Sequence, residues 1–379
     1  MVKSEVIRMK RALKILMIFV IVIIVFSVGF ILTLQIFEYR PEDITELSIE
    51  NNPVDSDEFH VDINETLTIL TFNIGYASLS QTEDFAMDGG TKGRMDSKAE
   101  VEANLLGIKG IIESNPADIY LFQEVDIDSH RSYNINQLDY FNTFLEMSSV
   151  LAYNYRCIFV PFPYTNPSQM MGKVNSGIVT FSNFYGESAQ RHQLPGSFNW
   201  PISLANLKRA MMITKYPIKD SDKYLTVINV HLSAYDDGTM RLEEMEALKT
   251  LMLEEYDKGN YVIVGGDFNQ TFPQAIIENG ESDFEYLFEL KNDEFWQAFP
   301  MDGVWFEEND FSFGVDITTP SCRLLHQAYD TENPDNNQYY LIDGFIVSNN
   351  LNIDTVETLD ENFVYSDHNP VKITINFIG

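Results

Sequence analysis

The sequence predicts an α/β protein with mixed sheets, set behind a single membrane-crossing helix. Three observations carry that expectation. A run of 23 residues near the amino terminus, Ile15 to Phe37, holds no charge. Beyond it, short apolar and β-branched runs of strand length recur more often than helical patterns do. The helical segments do not alternate strictly with those runs, which points to a mixed assembly rather than a simple parallel sheet.

The uncharged run exceeds the roughly 20 residues needed to cross a hydrocarbon core. Lys3, Arg8, Lys10, Arg11 and Lys14 precede it, so the positive-inside bias places residues 1–14 in the cytoplasm and the rest of the chain outside. The competing reading is a cleaved signal peptide, whose apolar core is usually shorter and ends in a small-residue cleavage site; none follows here. The expectation is an uncleaved transmembrane helix over residues 15–37. Residues 38–65 are polar and acidic, carry Pro41 and Pro53, and read as a juxtamembrane linker. No internal repeat appears after them, so residues 66–379 are expected to form one domain.

Within that domain, Thr66–Asn73 is a β-branched, apolar run and reads as a strand. A glycine-rich loop, Met87–Arg94, follows. Ser97 and Glu100 then form a capping box ahead of Val101, Leu105, Ile108 and Ile112, which share one helical face. Asn115-Pro116 stops that helix. Asp118–Glu124 is the next strand and ends on a carboxylate. Further strands are expected over 176–181, 208–214, 224–231, 261–267, 338–347, 352–357 and 371–377. A helix from Thr239 to Asp257 should turn Leu242, Met245, Leu248 and Met252 inward.

The 379 residues are 45% hydrophobic and 13% aromatic, enough for a sizeable core. The formal charge is −32; with residues 1–37 set aside, 20 basic and 56 acidic residues leave −36. That balance weighs against a nonspecific duplex-DNA binder, which needs a basic face for phosphate contacts. It does not exclude phosphate esters where divalent cations line a site. Cys157 and Cys322 have neither disulfide-framework nor zinc-site spacing; two buried thiols and a single bridge both fit the sequence.

Polar residues gather where apolar strands end: Asn73, Glu124, Asn229 with His231, Asp267 with Asn269, Asp343, and Asp367 with His368. One carboxylate at a strand end is ordinarily a cap or turn former. Six such ends holding acids, amides and two histidines suggest a site built on loops held by rigid strands. Oxygen donors without cysteine suit a hard cation such as magnesium. Histidines among them can stabilise negative charge growing on a phosphoryl group.

The segments Phe72–Ile74, Phe122–Glu124, Asn229–Leu232, Gly265–Asn269, Ile342–Phe345 and Ser366–Pro370 resemble, in order, the motifs of the endonuclease/exonuclease/phosphatase superfamily. That group includes deoxyribonuclease-I-like nucleases, abasic-site endonucleases, bacterial sphingomyelinases and inositol-polyphosphate phosphatases. The resemblance implies a four-layer α/β/β/α sandwich with the site at one edge of two packed sheets. It implies that Glu124 is the principal ligand of Mg²⁺, with Mn²⁺ as a substitute, and that Asn73 and Asp367 lie beside the metal. Asp267 would orient or deprotonate the attacking water, and Asn269 and His231 would contact phosphate oxygens. His368 would serve the transition state or the leaving group, oriented by Asp343.

The implied reaction is hydrolysis of a phosphodiester or phosphomonoester by activated water, on lipid, nucleic acid or a small phosphate, with no protein partner called for. The alternative is an inactive binding domain on the same fold. Weaker candidates are Asn175 in a loop before a strand, and the cations Arg94, His130, Arg131 and Arg209. The aromatic stretch Phe159–Tyr164 fits either core packing or a lip for a lipid or base.

Overall fold

The computed structural model describes residues 2–236, 238–278, 284–286 and 299–378. Val2–Ile36 is one helix, and its stretch Ile7–Ile36 is long and apolar enough to cross a membrane. The helix begins well before the uncharged run because residues 8–14 are Arg, Met, Lys, Ala and Leu, all good helix formers. Residues 38–65 are laid along the domain. Ile44–Glu46 pairs antiparallel with Ser188–Gln193, while Glu50 and Val61 make single bridges to Ser149 and Ile218.

Two sheets form the domain. The first runs Ile44–Glu46, Ser188–Gln193, Ala210–Pro217, Tyr224–His231, Tyr261–Asp267, Asp343–Ser348, Phe311–Gly314. The second runs Leu351–Thr358, Val371–Phe377, Leu67–Asn73, Ile119–Asp126, Gly172–Ser182, Ser148–Val160. Each sheet is antiparallel apart from one pair: 224–231 beside 261–267 in the first, 67–73 beside 119–126 in the second. The expected mixed architecture is present.

Alternation along the strands supplies the layers. Ile69, Ile119, Leu121 and Ile373 of the second sheet meet Leu225, Val227, Ile263 and Phe345 of the first, with all of them buried. The outer face of the second sheet packs Phe72, Phe122 and Phe181 under helix Lys98–Ser114. The outer face of the first packs Ile228, Val230 and Val264 under helix Thr239–Tyr256. Three apolar layers between four structural ones make the α/β/β/α sandwich.

Helix 98–114 follows its spacing: Val101, Leu105, Ile108 and Ile112 are all buried. Ser97 Oγ accepts from the Glu100 N–H and donates to its carboxylate at 2.7 Å, so Ser97 caps the helix as expected. Helix 239–256 departs from expectation. Met245, Leu248 and Met252 point inward, but Leu242 is 56% exposed. Arg241 and Glu244 take the inward face of that turn, because Arg241 pairs with Asp236 and Glu244 accepts from the Ser233 N–H and hydroxyl. The run expected as one strand over 338–347 is broken into Tyr339–Tyr340 and Asp343–Ser348. Ser321 Oγ accepts the N–H groups of both Ile342 and Asp343, replacing ladder bonds at the break. Cys157 and Cys322 are free thiols, both buried.

Candidate active site

Strand register assembles half of the site. His231 pairs with Asp267 across the parallel ladder, and Asp267 pairs with Asp343 across the antiparallel one. The three therefore stand on one rung at the edge of the first sheet. Gly266 makes that approach possible: its φ is 149°, and a Cβ there would lie 2.0 Å from the Val230 carbonyl oxygen. Asn229 lies one alternation deeper on the same face as His231. It is fully buried between the sheets, takes a hydrogen bond from Gln123 and donates to Val179, so it ties the sheets together and stays out of the cleft.

The second sheet brings Asn73 and Glu124 to the same edge. Asn73 ends its strand, and Glu124 sits where the ladder slips between Phe122 and Val125, with φ at +58°. That bulge turns the Glu124 carboxylate out of the alternation and into the cleft. Asp367 and His368 come from the turn before strand 371–377. Ser366 holds the turn down by donating to the Asn73 carbonyl at 2.8 Å.

His368 Nδ1 meets Asp343 Oδ2 at 2.8 Å, and the same oxygen accepts from the Ser321 hydroxyl at 2.8 Å. Burial pulls the His368 imidazole down, but Asp343 reverses this and carries it well above the ordinary value, which favours the protonated ring. His231, equally buried, has Nε2 3.5 Å from Asp267 and 3.8 Å from Glu124. Burial, with the cations Arg209, His368 and Arg131 nearby, holds it well below the ordinary value, and its Nδ1 has no hydrogen-bond partner.

Asp267 accepts from the Asn269 N–H at 2.9 Å and from the Asn73 amide at 3.0 Å. Burial, then the charge of Asp343, pushes its carboxyl up to about 7. Asp367 is also pushed up to about 7, by burial first and then by Glu124. Among the described residues no lysine or arginine forms an ion pair with Glu124, Asp267, Asp343 or Asp367; Arg131 and Arg323 act on Glu124 and Asp367 only from a distance, and His368 is the cationic partner in contact.

That imbalance, in an all-oxygen donor set, is the environment in which a divalent cation lowers the cost of burying charge. Glu124 and Asp367 are the acids that raise each other's negative potential and are not tied to the imidazolium by a short bond. Asn73 Oδ1 already accepts from the Gly75 N–H at 3.1 Å, which leaves one lone pair for a cation. Asp267, Asp343 and His368 also place one ligand atom each within 4.8 Å of one another. His368 is already hydrogen-bonded to Asp343 at 2.8 Å, while Asp267 stands 3.8 Å from its other ring nitrogen, so this trio reads as an oriented imidazole with an acid in front of it rather than as a metal cage.

All eight expected site residues thus lie at one edge of the sandwich. Glu124, His231, Asp267, Asn269, Asp367 and His368 line one cavity, together with Arg209. The Arg209 guanidinium donates to the His231 carbonyl at 3.0 Å. Arg131 also lines this cavity, buried against Asp126 at 2.9 Å with its guanidinium 3.5 Å from the Tyr76 ring centre. Asn175 lies within strand 172–182, its N–H bonded to Ser129, and Arg94 and His130 are spent on Tyr133 and the Lys173 N–H. Sequence reasoning passed over Ser321, Ser366 and Cys322, whose sulfur lies 3.5 Å from His368 Nε2.

Comparison with known proteins matches residues 70–368 to the model of the endonuclease/exonuclease/phosphatase family. No curated protein sequence matches the chain. Among solved structures, an endonuclease/exonuclease/phosphatase from Beutenbergia cavernae DSM 12333 is similar, with 15% identity and a TM-score of 0.53 over 83% of this chain and 72% of that one. A functionally unknown conserved protein from Enterococcus faecalis V583 aligns with 15% identity and a TM-score of 0.50, over 82% of this chain and 100% of that one. The human Nocturnin catalytic domain with bound sulfate gives 15% identity and 0.48, over 83% and 94%.

Proposed function

Because the chain belongs to the endonuclease/exonuclease/phosphatase family, with residues 70–368 spanning the match, we propose that it hydrolyses a phosphate ester, diester or monoester, with water activated between the two sheets. The observation that carries the reading is the convergence of two unlike sets of side chains on one cleft. The rung His231–Asp267–Asp343, with His368 bonded to Asp343 at 2.8 Å, faces the acids Glu124 and Asp367.

Glu124 and Asp367, with Asn73 beside them, would hold magnesium or manganese, which when bound supplies Lewis-acid polarisation of a phosphoryl oxygen. Asp267, held by Asn269 and Asn73 and poised near 7, takes the proton of the attacking water. Neutral His231 and the Asn269 amide offer hydrogen bonds to non-bridging oxygens without adding charge. Cationic His368 stabilises charge on the phosphoryl group and supplies a proton to the departing oxygen. The intact ligand set supports an enzyme over an inactive binding domain.

Hydrolysis of bis(p-nitrophenyl) phosphate tests this. Activity is expected with magnesium or manganese and is lost in EDTA. Glu124→Gln should cut the rate most at limiting metal while the thermal midpoint barely moves, and full activity in EDTA contradicts the reading. The five basic residues in the first turns of the helix, ahead of its uncharged run, support an outward-facing, membrane-tethered domain. Protease added to intact cells should then remove the domain; recovering it soluble in the cytoplasm contradicts this arrangement.

A further inference from the structure

The cleft described above is one end of a cavity of about 580 Å³. The other end is apolar and has an unusual wall: Phe30, Ile31 and Leu34 of the amino-terminal helix, facing Phe162, Ile202 and Leu204 of the domain. These come from three separate segments that meet where the helix ends. Leu34 is only 5% exposed, buried with Tyr155, Val160 and Leu204. The Phe30 ring stands edge-on to Phe159 with centroids 6.1 Å apart. Polar bonds lock the junction. Trp200 Nε1 donates to Gln35 Oε1 at 3.0 Å, and Lys208 pairs with Glu38 at 2.9 Å.

Two further observations say what this space is for. Leu34 and Phe30 lie two and six residues before the end of the membrane-crossing stretch at Ile36, so at about 1.5 Å of rise per residue the wall covers roughly the last 3 to 9 Å of helix before that end. The exposed large apolar side chains Ile158, Phe159, Tyr164, Trp200 and Ile202 come from the same two domain segments, whereas among the other described residues of the domain such side chains are scattered singly along the chain. A tryptophan and a tyrosine among them match the amphipathic rings that settle at a membrane surface. An apolar rim at bilayer level opens into an apolar chamber, and the chamber ends on a cluster of acids and histidines.

We propose that the substrate is a phosphate-ester lipid of the same bilayer. Its acyl chain lies against the end of the chain's own membrane helix while its phosphate reaches the catalytic cleft. The helix is then part of the substrate site and not only a tether. This rests on the hydrolytic reading above. A bond forms from the water oxygen to phosphorus, the bond from phosphorus to one ester oxygen breaks, and the proton lost by the water ends on the oxygen that departs. Nothing is oxidised or reduced.

The test uses the full-length protein in vesicles of phosphatidylcholine, with phosphatidylethanolamine or phosphatidylglycerol replacing part of it in parallel samples, and bis(p-nitrophenyl) phosphate and a single-stranded oligonucleotide as soluble arms. Release of a phosphorylated headgroup or of a lipid phosphate is expected from at least one vesicle. Phe30→Ser with Ile202→Ser, both away from the acids, should lower the ratio of lipid to soluble-ester kcat/KM by about tenfold or more, as loss of apolar contact predicts. A phospholipid carrying a photoreactive acyl chain should crosslink to 198–207 or to the end of the helix in the parent protein, and much less in the variant. Hydrolysis of the soluble ester with no lipid cleaved, an unmoved ratio, or an oligonucleotide cut in preference to every lipid overturns the lipid assignment and leaves the hydrolytic reading standing. Crosslinking without hydrolysis of any ester overturns the hydrolytic reading and, with it, the substrate assignment.

Discussion

His231 and His368 stand in the same cleft, both nearly sealed from solvent, yet their surroundings favour a neutral ring at one and a protonated ring at the other. His368 has Asp343 at 2.8 Å on one ring nitrogen; the Nδ1 of His231 has no partner, and Arg209 lies close by. Burial acts on both rings in the same sense, so the difference lies wholly in the neighbours. A histidine at a strand end says little about its charge until the residue behind the ring is known. One cleft thereby holds a proton donor and a neutral hydrogen-bonding ring a few ångströms apart, and Asp267 lies 3.5 Å from one and 3.8 Å from the other.

The largest expected effect breaks the charged member of the pair. His368→Ala should slow hydrolysis by about two to four orders of magnitude, the span of general acid and base groups. Asp343→Asn should cost less, and the double variant should be little worse than His368→Ala alone, because the two act as one unit. Strictly additive losses in that cycle would show that Asp343 does not orient His368. A smaller effect sharpens the comparison: Ser321→Ala removes one donor from Asp343 and should lower kcat by about tenfold, the worth of one hydrogen bond to a charged group. An unchanged kcat would mean the Asp343 carboxylate holds its place without the serine.

The smallest effect on rate is expected outside the cleft, at an ion pair that serves as contrast. Glu255 is buried, which alone would raise its carboxyl, but Lys215 and Lys258 hold it down at about 2, against an ordinary 4.5. A depressed carboxyl contributes stability that is fully present above about 4.5 and is lost as pH falls toward 2. Lys215→Met should therefore lower stability by about 1–3 kcal/mol at neutral pH. The gap to the parent should narrow as pH falls through that window, while kcat holds. Thermal unfolding across pH measures it; a gap independent of pH would contradict the linkage.

How much of this was legible in the sequence follows from what each residue depends on. Glu124, Asp267 and His231 follow apolar runs, so strand ends carry all three to a common edge once the sheets pack, although Glu124 reaches the cleft only through a bulge that no periodicity encodes. The rung that puts His231, Asp267 and Asp343 side by side needs register, which no single run encodes. Asn229 sits in the same motif as His231, yet alternation leaves it one step inside, where it bonds Gln123. Ser321 was hidden because its role arises from a bridge between Cys322 and His368, distant in sequence. Leu242 was misplaced because the spacing of apolar residues cannot register that Glu244 caps Ser233 from the inward face. The helix was read as an anchor from its composition; that its last turns line the catalytic cavity is a tertiary fact, carried by Leu34 and Leu204.

The most direct measurement is of the two imidazoles themselves. Nitrogen-15 spectra of the histidine rings in the metal-free protein at neutral pH, assigned with His231→Gln and His368→Gln, report each protonation state separately. The expected result is His368 protonated on both nitrogens and His231 neutral, with Asp343→Asn moving His368 toward the neutral form and leaving His231 where it was. Two neutral rings, or a His368 signal that ignores Asp343→Asn, would contradict the account.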